Sequence, residues 1–142
     1  MSIEGPDDLP GLQRIGRIVA EARDAMLAAV EPGISTAELD EVGRDALRKH
    51  GARSAPQLAY QFPGWTCISV NSDLAHGIPS RQKRLREGDL VNVDVSAELD
   101  GYWADTGASA AVGEVAPRLT RLLAATRTAQ ALAMDQARAG QM

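Results

Sequence analysis

The segment 90–111 constrains the fold more than any other part of the chain. Its first part has a valine at every second position from 91 to 95, which is the period of a strand with one face in a core. Asp100-Gly101 follows, and this dipeptide suits a type I′ turn because both residues tolerate positive φ. The sequence therefore predicts an antiparallel hairpin with strands at about 90–97 and 102–112.

Asp94 and Asp105 share one face of this hairpin in either of two registers. A two-residue turn puts Asp105 opposite Ser96, with Asp94 as its diagonal neighbour, whereas a four-residue loop over 98–101 makes the two aspartates face each other directly. Both registers leave the Cβ atoms roughly 5–8 Å apart. Adjacent carboxylates on a largely apolar sheet either share a proton or bind a cation, and divalent metals bridged by carboxylates are a recurrent hydrolytic device.

The pair therefore predicts a metal site. The alternative from spacing alone is that one aspartate points to solvent at a strand edge and the other caps a turn.

Five short motifs occur in order along the chain. They are Phe62-Pro63, Cys67-Ile68-Ser69-Val70-Asn71, His76-Gly77-Ile78-Pro79, Gly88–Val95 and Asp100–Thr106. Together they resemble the first half of a type I methionine aminopeptidase, a metallopeptidase of the pita-bread family. The resemblance implies an α+β fold in which an antiparallel sheet carries helices on one face, with the 142 residues holding the N-terminal half alone.

The resemblance also assigns roles to the motif residues. Asp94 would chelate one divalent ion and Asp105 would bridge two, with cobalt, manganese, iron, zinc or nickel as the candidate metals. His76 would be the catalytic residue that contacts the scissile region of the substrate. Phe62 and Cys67 would line the pocket for the substrate's methionine side chain.

Ser96 and Thr106 flank the two carboxylates in the sequence. Hydroxyl groups in such positions orient metal-binding carboxylates through hydrogen bonds. We therefore expect both to be hydrogen-bond partners of the aspartates.

The function implied by the resemblance is metal-dependent removal of the N-terminal methionine from nascent proteins. A histidine and two glutamates from the second half complete the site in that family, so this chain is expected to carry only part of it. The alternative is a catalytically inactive half-domain that binds a peptide or a protein partner. A half fold leaves a sheet edge and apolar surface uncovered, which predicts either a homodimer through that face or a partly unfolded or aggregating chain.

Charge and composition exclude other classes of function. A net charge of −4 argues against a general binder of nucleic acids or anionic membranes. The acidic N-terminus lacks the plan of a signal peptide, and no apolar run approaches the roughly 18 residues of a membrane helix. One cysteine suits a reducing compartment, so a cytoplasmic location is expected. The basic run 81–86 is interpreted as a solvent-exposed segment that leads to the strand at 90–97. The more specific alternative is that it contacts ribosomal RNA.

Hydrophobic periodicity predicts helices at about 9–30, 36–50 and 117–137, and a short strand at about 66–70. Ser35 followed three residues later by Glu38 predicts a capping box at the second helix. His50, in the last turn of that helix, suits the helix dipole better than a ligand role. Residues 53–65 are expected to be irregular.

Overall fold

The computed structural model describes residues 3–141. It contains four helices and four strands, in the order α1 (Asp8–Ala28), α2 (Thr36–Lys49), β1 (Arg53–Ser54), α3 (Ala55–Tyr60), β2 (Cys67–Val70), β3 (Leu90–Leu99), β4 (Tyr102–Ala111) and α4 (Pro117–Gln136).

The strands form one antiparallel sheet in which β3 is central. β4 pairs with β3 along ten residues on one side, and β1 and β2 pair with different parts of β3 on the other side. Ser96 lies opposite Asp105, and the turn residues Asp100 and Gly101 have φ angles of 53° and 88°. The two-residue turn is therefore confirmed, and the four-residue loop is excluded.

The hydrophobic core lies between the sheet and α1, with α2 packed on α1. Val91, Val93 and Val95 are fully buried and point to this side. Five buried residues of α1 meet them: Ile15, Ile18, Val19, Ala22 and Met26. The fold is therefore α+β, with the helices on one face of an antiparallel sheet as expected, and the opposite face is left for the polar residues of β3.

The capping box at α2 is confirmed. The Glu38 backbone N–H donates to Ser35 Oγ at 3.2 Å, and the Ser35 N–H donates to Glu38 Oε2 at 2.8 Å. Two backbone donors that the first helical turn leaves unpaired are thereby satisfied.

The expectation that residues 53–65 are irregular is wrong for their first half. Arg53 and Ser54 pair with β3, and Ser54 then caps α3 by accepting a hydrogen bond from the Gln57 N–H at 3.4 Å. Pro56 lies in the first turn of this helix, where the missing N–H costs nothing. α3 is six residues long, which is too short for hydrophobic periodicity to reveal it.

The helix α4 has a different environment from the other long helices. None of the residues 117–136 is buried, and Leu122, Leu132 and Met134 are more than half exposed. It lies next to β4, whose outer edge has no strand partner within residues 3–141. In the same range, no helix is both long and apolar enough to cross a membrane.

Candidate metal and substrate site

Asp94 and Asp105 lie on the sheet face away from α1 and α2, at diagonal positions of the β3–β4 ladder. Asp94 is opposite Gly107, and Asp105 is opposite Ser96. The two carboxyl groups are close enough for the charge of Asp105 to raise the pKa of Asp94. Gly107 has no side chain to separate them, so the register places both carboxyl groups beside one open space.

The electrostatics of the pair favour a bound cation. Burial raises the pKa of Asp94 to about 6, the negative charge of Asp105 and a hydrogen bond with it act in the same direction, and the nearby His76 opposes them. The second negative charge is therefore costly in the metal-free protein, and a divalent cation would remove that cost. Carboxylate oxygens also suit hard and borderline divalent metals, so these two residues fit a metal site.

Ser96 and Thr106 have different environments. Ser96 Oγ donates to Asp105 Oδ1 at 2.8 Å, as expected for a residue that orients the carboxylate. Thr106 lies opposite Val95, on the helix-facing side of the sheet, and its Oγ1 accepts a hydrogen bond from Arg23 Nη1 at 2.9 Å. The expectation for Thr106 is therefore wrong, because successive side chains of a strand point to opposite faces.

Cys67 lies beside Asp94 on the adjacent strand β2. The two residues are directly opposite each other, and Cys67 is only 3% exposed. Burial, and then the charge of Asp94, raise the pKa of its thiol to about 11. The thiol therefore stays protonated at neutral pH and forms an apolar wall instead of acting as a nucleophile.

Aromatic rings lie beside this thiol. The ring centroids of Tyr60 and Phe62 are 6.1 Å apart in an edge-to-face arrangement, and the centroids of Tyr60 and His76 are 6.4 Å apart with a tilt of 32°. Burial and the approach of Cys67 raise the pKa of the Tyr60 hydroxyl. The structure thus brings Phe62, Cys67 and His76 together at the carboxylate pair.

Tyr60 is the site residue that the sequence reasoning missed. It ends α3, and Gln61 after it has a left-handed backbone with φ of 58°, which turns the chain towards Phe62. The grouping of Tyr60, Phe62 and Trp65 within six positions is the one sequence signal that pointed to it.

The other histidine lies elsewhere. His50 Nε2 is 3.0 Å from Glu21 Oε2, so His50 joins α2 to α1 on the helical side of the protein. Over residues 3–141, no three side chains of the types His, Cys, Asp and Glu come together as a metal cage. A metal ion bound beside Asp94 and Asp105 would therefore find two carboxylates among the described residues.

The basic run 81–86 folds back on acidic residues. Arg81 pairs with Glu41 at 3.2 Å, Arg84 pairs with Glu38 at 3.3 Å, and Lys83 pairs with Asp73. These pairs reduce the positive charge that the run presents to an outside partner.

Comparisons with known proteins give a consistent result. The model of metallopeptidase family M24 matches residues 10–142. Methionine aminopeptidase 2 of Bacillus subtilis (strain 168) is 50% identical over 140 residues, which are 99% of this chain and 56% of that protein. Methionine aminopeptidase of Staphylococcus epidermidis (strain ATCC 12228) is 51% identical over 114 residues, which are 80% of this chain and 45% of that protein.

The crystal structure of methionine aminopeptidase from Rickettsia prowazekii superposes with a TM-score of 0.85 at 34% identity. The match covers 91% of this chain and 52% of that one. The pita-bread fold expected from the sequence is thereby confirmed, and the chain spans about half the length of the curated relatives it matches. Because the family model extends over nearly all of its residues, the chain belongs to metallopeptidase family M24.

Proposed function

We propose that this chain carries part of the active site of a methionine aminopeptidase, which removes the N-terminal methionine from newly made polypeptides. The observation that carries the proposal is the placement of Asp94 and Asp105 on one open face, next to the wall formed by Phe62, Cys67 and His76. The methionine aminopeptidases that match the chain at 50% and 51% identity support it. Because its substrates would be newly made polypeptides, we expect this function in the cytoplasm.

Asp94 and Asp105 would hold the divalent ions, two in a complete site, with cobalt, manganese, iron, zinc or nickel as the candidates. When bound, such ions lower the pKa of a water molecule and so provide a nucleophile near neutral pH. Ser96 keeps the Asp105 carboxylate in place through its 2.8 Å hydrogen bond. Two carboxylates leave each ion short of ligands, so the site needs further donors beyond those of residues 3–141.

The wall beside the carboxylates would select the substrate. Phe62 and Cys67 are 8% and 3% exposed, and they offer an aromatic edge and a neutral thiol to an unbranched thioether side chain. His76 would contact the peptide next to the bond that is cleaved. These residues suit peptides with a free N-terminal methionine.

A manganese-binding measurement tests the proposal. The free Mn²⁺ signal in electron paramagnetic resonance should fall when the chain is added, and Asp94→Asn and Asp105→Asn should each abolish that fall. Asp100→Asn is the matched control, because asparagine also tolerates the positive φ of this turn position. Binding that is unchanged in Asp94→Asn and Asp105→Asn would contradict the proposal.

A binding role is the second candidate, and the environment of α4 favours it. A helix of 20 residues gains most of its stability in proteins from packing of an apolar face, yet none of the residues of α4 is buried. The helix carries three arginines and one aspartate, whereas the rest of the chain has 12 basic and 18 acidic residues. We propose that α4 of one copy packs on the acidic body of a second copy, giving a homodimer through the face formed by α4 and the edge of β4.

A further inference from the structure

The backbone of His76 is held in an uncommon conformation. Its φ is 53°, in the left-handed region, where the Cβ of an L-residue crowds its own backbone. A residue stays there when the surrounding structure fixes it, and such positions cluster at ligand sites. Contacts outside His76 must therefore hold it in place.

Gly77 makes these contacts with β2. Its carbonyl oxygen accepts a hydrogen bond from the Ile68 N–H at 2.9 Å, and its N–H donates to Ser69 Oγ at 3.2 Å. A Cβ at position 77 would lie 2.6 Å from the Ile68 carbonyl carbon, 3.0 Å from the Ser69 Cα, and closer still to the Ile68 carbonyl oxygen. All of these are backbone atoms of a strand in the sheet, so only a glycine lets the loop approach this closely.

The strand that holds Gly77 also carries part of the candidate site. Ile68 and Ser69 directly follow Cys67, which lies opposite Asp94. At the start of the loop, Asn71 forms a hydrogen bond between its N–H and the Leu90 carbonyl oxygen, and its Oδ1 accepts from the Leu90 N–H, both at 2.9 Å. Both ends of the segment 71–77 are therefore anchored to the sheet, and His76 lies next to the second anchor.

We propose that Gly77 is a positioning residue for His76, and that Ser69 assists it. By docking on Ile68 and Ser69 without a side chain, Gly77 fixes the His76 imidazole beside the ring of Tyr60, at the edge of the carboxylate pair. The importance of this placement rests on the proposed function, in which His76 contacts the substrate. The placement itself is measurable without any catalysis.

Proton NMR of the metal-free chain provides the test, because the chain has only two histidines. His50→Gln identifies the ring signals of His76. We expect a nuclear Overhauser effect between the His76 and Tyr60 rings in the native chain, its loss in Gly77→Ala and its weakening in Ser69→Ala. Gly16→Ala is the matched control, since a Cβ at position 16 of α1 meets nothing within 4 Å, and it should keep the effect.

The Mn²⁺ affinity of the same variants separates positioning from general damage to the site. Asp94 and Asp105 lie on β3 and β4, so Gly77→Ala should bind Mn²⁺ as the native chain does. A folded Gly77→Ala variant that keeps the nuclear Overhauser effect between the His76 and Tyr60 rings would overturn the proposal. Absence of this effect from the native chain would overturn it too. If Gly77→Ala does not fold, Ser69→Ala decides in the same way. Failure of the proposed function would appear separately, as Mn²⁺ binding that is unchanged in Asp94→Asn.

Discussion

Cys67 and Asp94 lie directly opposite each other on β2 and β3, so a thiol and a carboxyl group share one face of the sheet. Burial, and then the negative charge of Asp94, make the ionised form of Cys67 less favourable. The site therefore combines a neutral wall with a carboxylate pair whose full ionisation is unfavourable.

The reactivity of Cys67 should be low in the folded protein. Its pKa of about 11 means that roughly 0.1% of the thiol is ionised at pH 8, and the thiolate is the reactive form. We expect modification by a disulfide reagent to be far slower in buffer than in urea, and Asp94→Asn to accelerate it. Equal rates in buffer and in urea would contradict this prediction.

The stability of the metal-free protein should increase as the pH falls from 7 to 5. The folded-state pKa of Asp94 is raised from 3.8 to about 6, so in this range the folded protein holds a proton that the unfolded chain has released. The cost of ionising Asp94 is complete above pH 6 and is relieved as the pH falls through that value. Allowing for solvent screening, the gain in the free energy of unfolding is on the order of 1 kcal/mol.

Urea unfolding at several pH values measures this effect. At pH 7, Asp94→Asn should have a larger free energy of unfolding than the native chain. Its stability should not increase between pH 7 and pH 5, whereas Asp100→Asn should show the same increase as the native chain. The measurement stays above pH 5 because hydrogen bonds lower the pKa values of Glu38 and Glu98 below 4.5, and their protonation destabilises the fold only in stronger acid. Parallel curves for Asp94→Asn and the native chain would show that Asp94 is not the group responsible.

Glu98 should be important for the stability of the hairpin. It is 3% exposed, and it accepts hydrogen bonds from Arg53 Nε and from the Gly101 N–H, both at 2.7 Å. Glu98→Gln keeps the shape but removes the charge, which should lower the free energy of unfolding by about 1–3 kcal/mol. Glu41, whose side chain is 43% exposed and pairs with Arg81, is the control. Glu41→Gln should lower the free energy of unfolding by no more than about 1 kcal/mol in thermal or urea unfolding.

The 142-residue chain by itself should have negligible aminopeptidase activity. Two carboxylates leave each ion under-coordinated, and His50 is occupied by Glu21 on the helical side. The assay is hydrolysis of a Met-Ala-Ser peptide with added manganese, cobalt or iron(II). Turnover within about tenfold of the typical enzyme value of roughly 10 s⁻¹, abolished by Asp105→Ala, would show that the chain completes its own site.

Association through the face formed by α4 and the β4 edge should be visible by light scattering. We expect a dimer that Leu122→Glu combined with Leu132→Glu converts to monomer, because both side chains are more than half exposed on α4. Leu74→Glu changes a fully exposed leucine in the loop between β2 and β3, and it should leave the dimer intact. A native chain that is monomeric and melts cooperatively, with and without millimolar manganese, would refute the dimer.

The amino-acid sequence by itself determined the features that depend on neighbouring residues. The valines at every second position and the Asp100-Gly101 turn established the hairpin, because side chains alternate with a period of two and this turn type requires positive φ. They left two registers open, and the pairing of Ser96 with Asp105 in the structure decided between them. The same parity put Asp94 and Asp105 on one face. The capping box at Ser35 followed from a spacing of three residues, which is equally local.

Tertiary structure decided what depends on contacts between distant segments. Tyr60 reaches the site because a short helix, capped by Ser54, ends in a left-handed residue. The hydroxyl of Thr106 accepts a hydrogen bond from Arg23, 83 residues away. Three of the four cations of 81–86 pair with carboxylates of α2 and of the loop after β2. These outcomes depend on which surfaces pack together, and a pattern read within a short window contains no information on that packing.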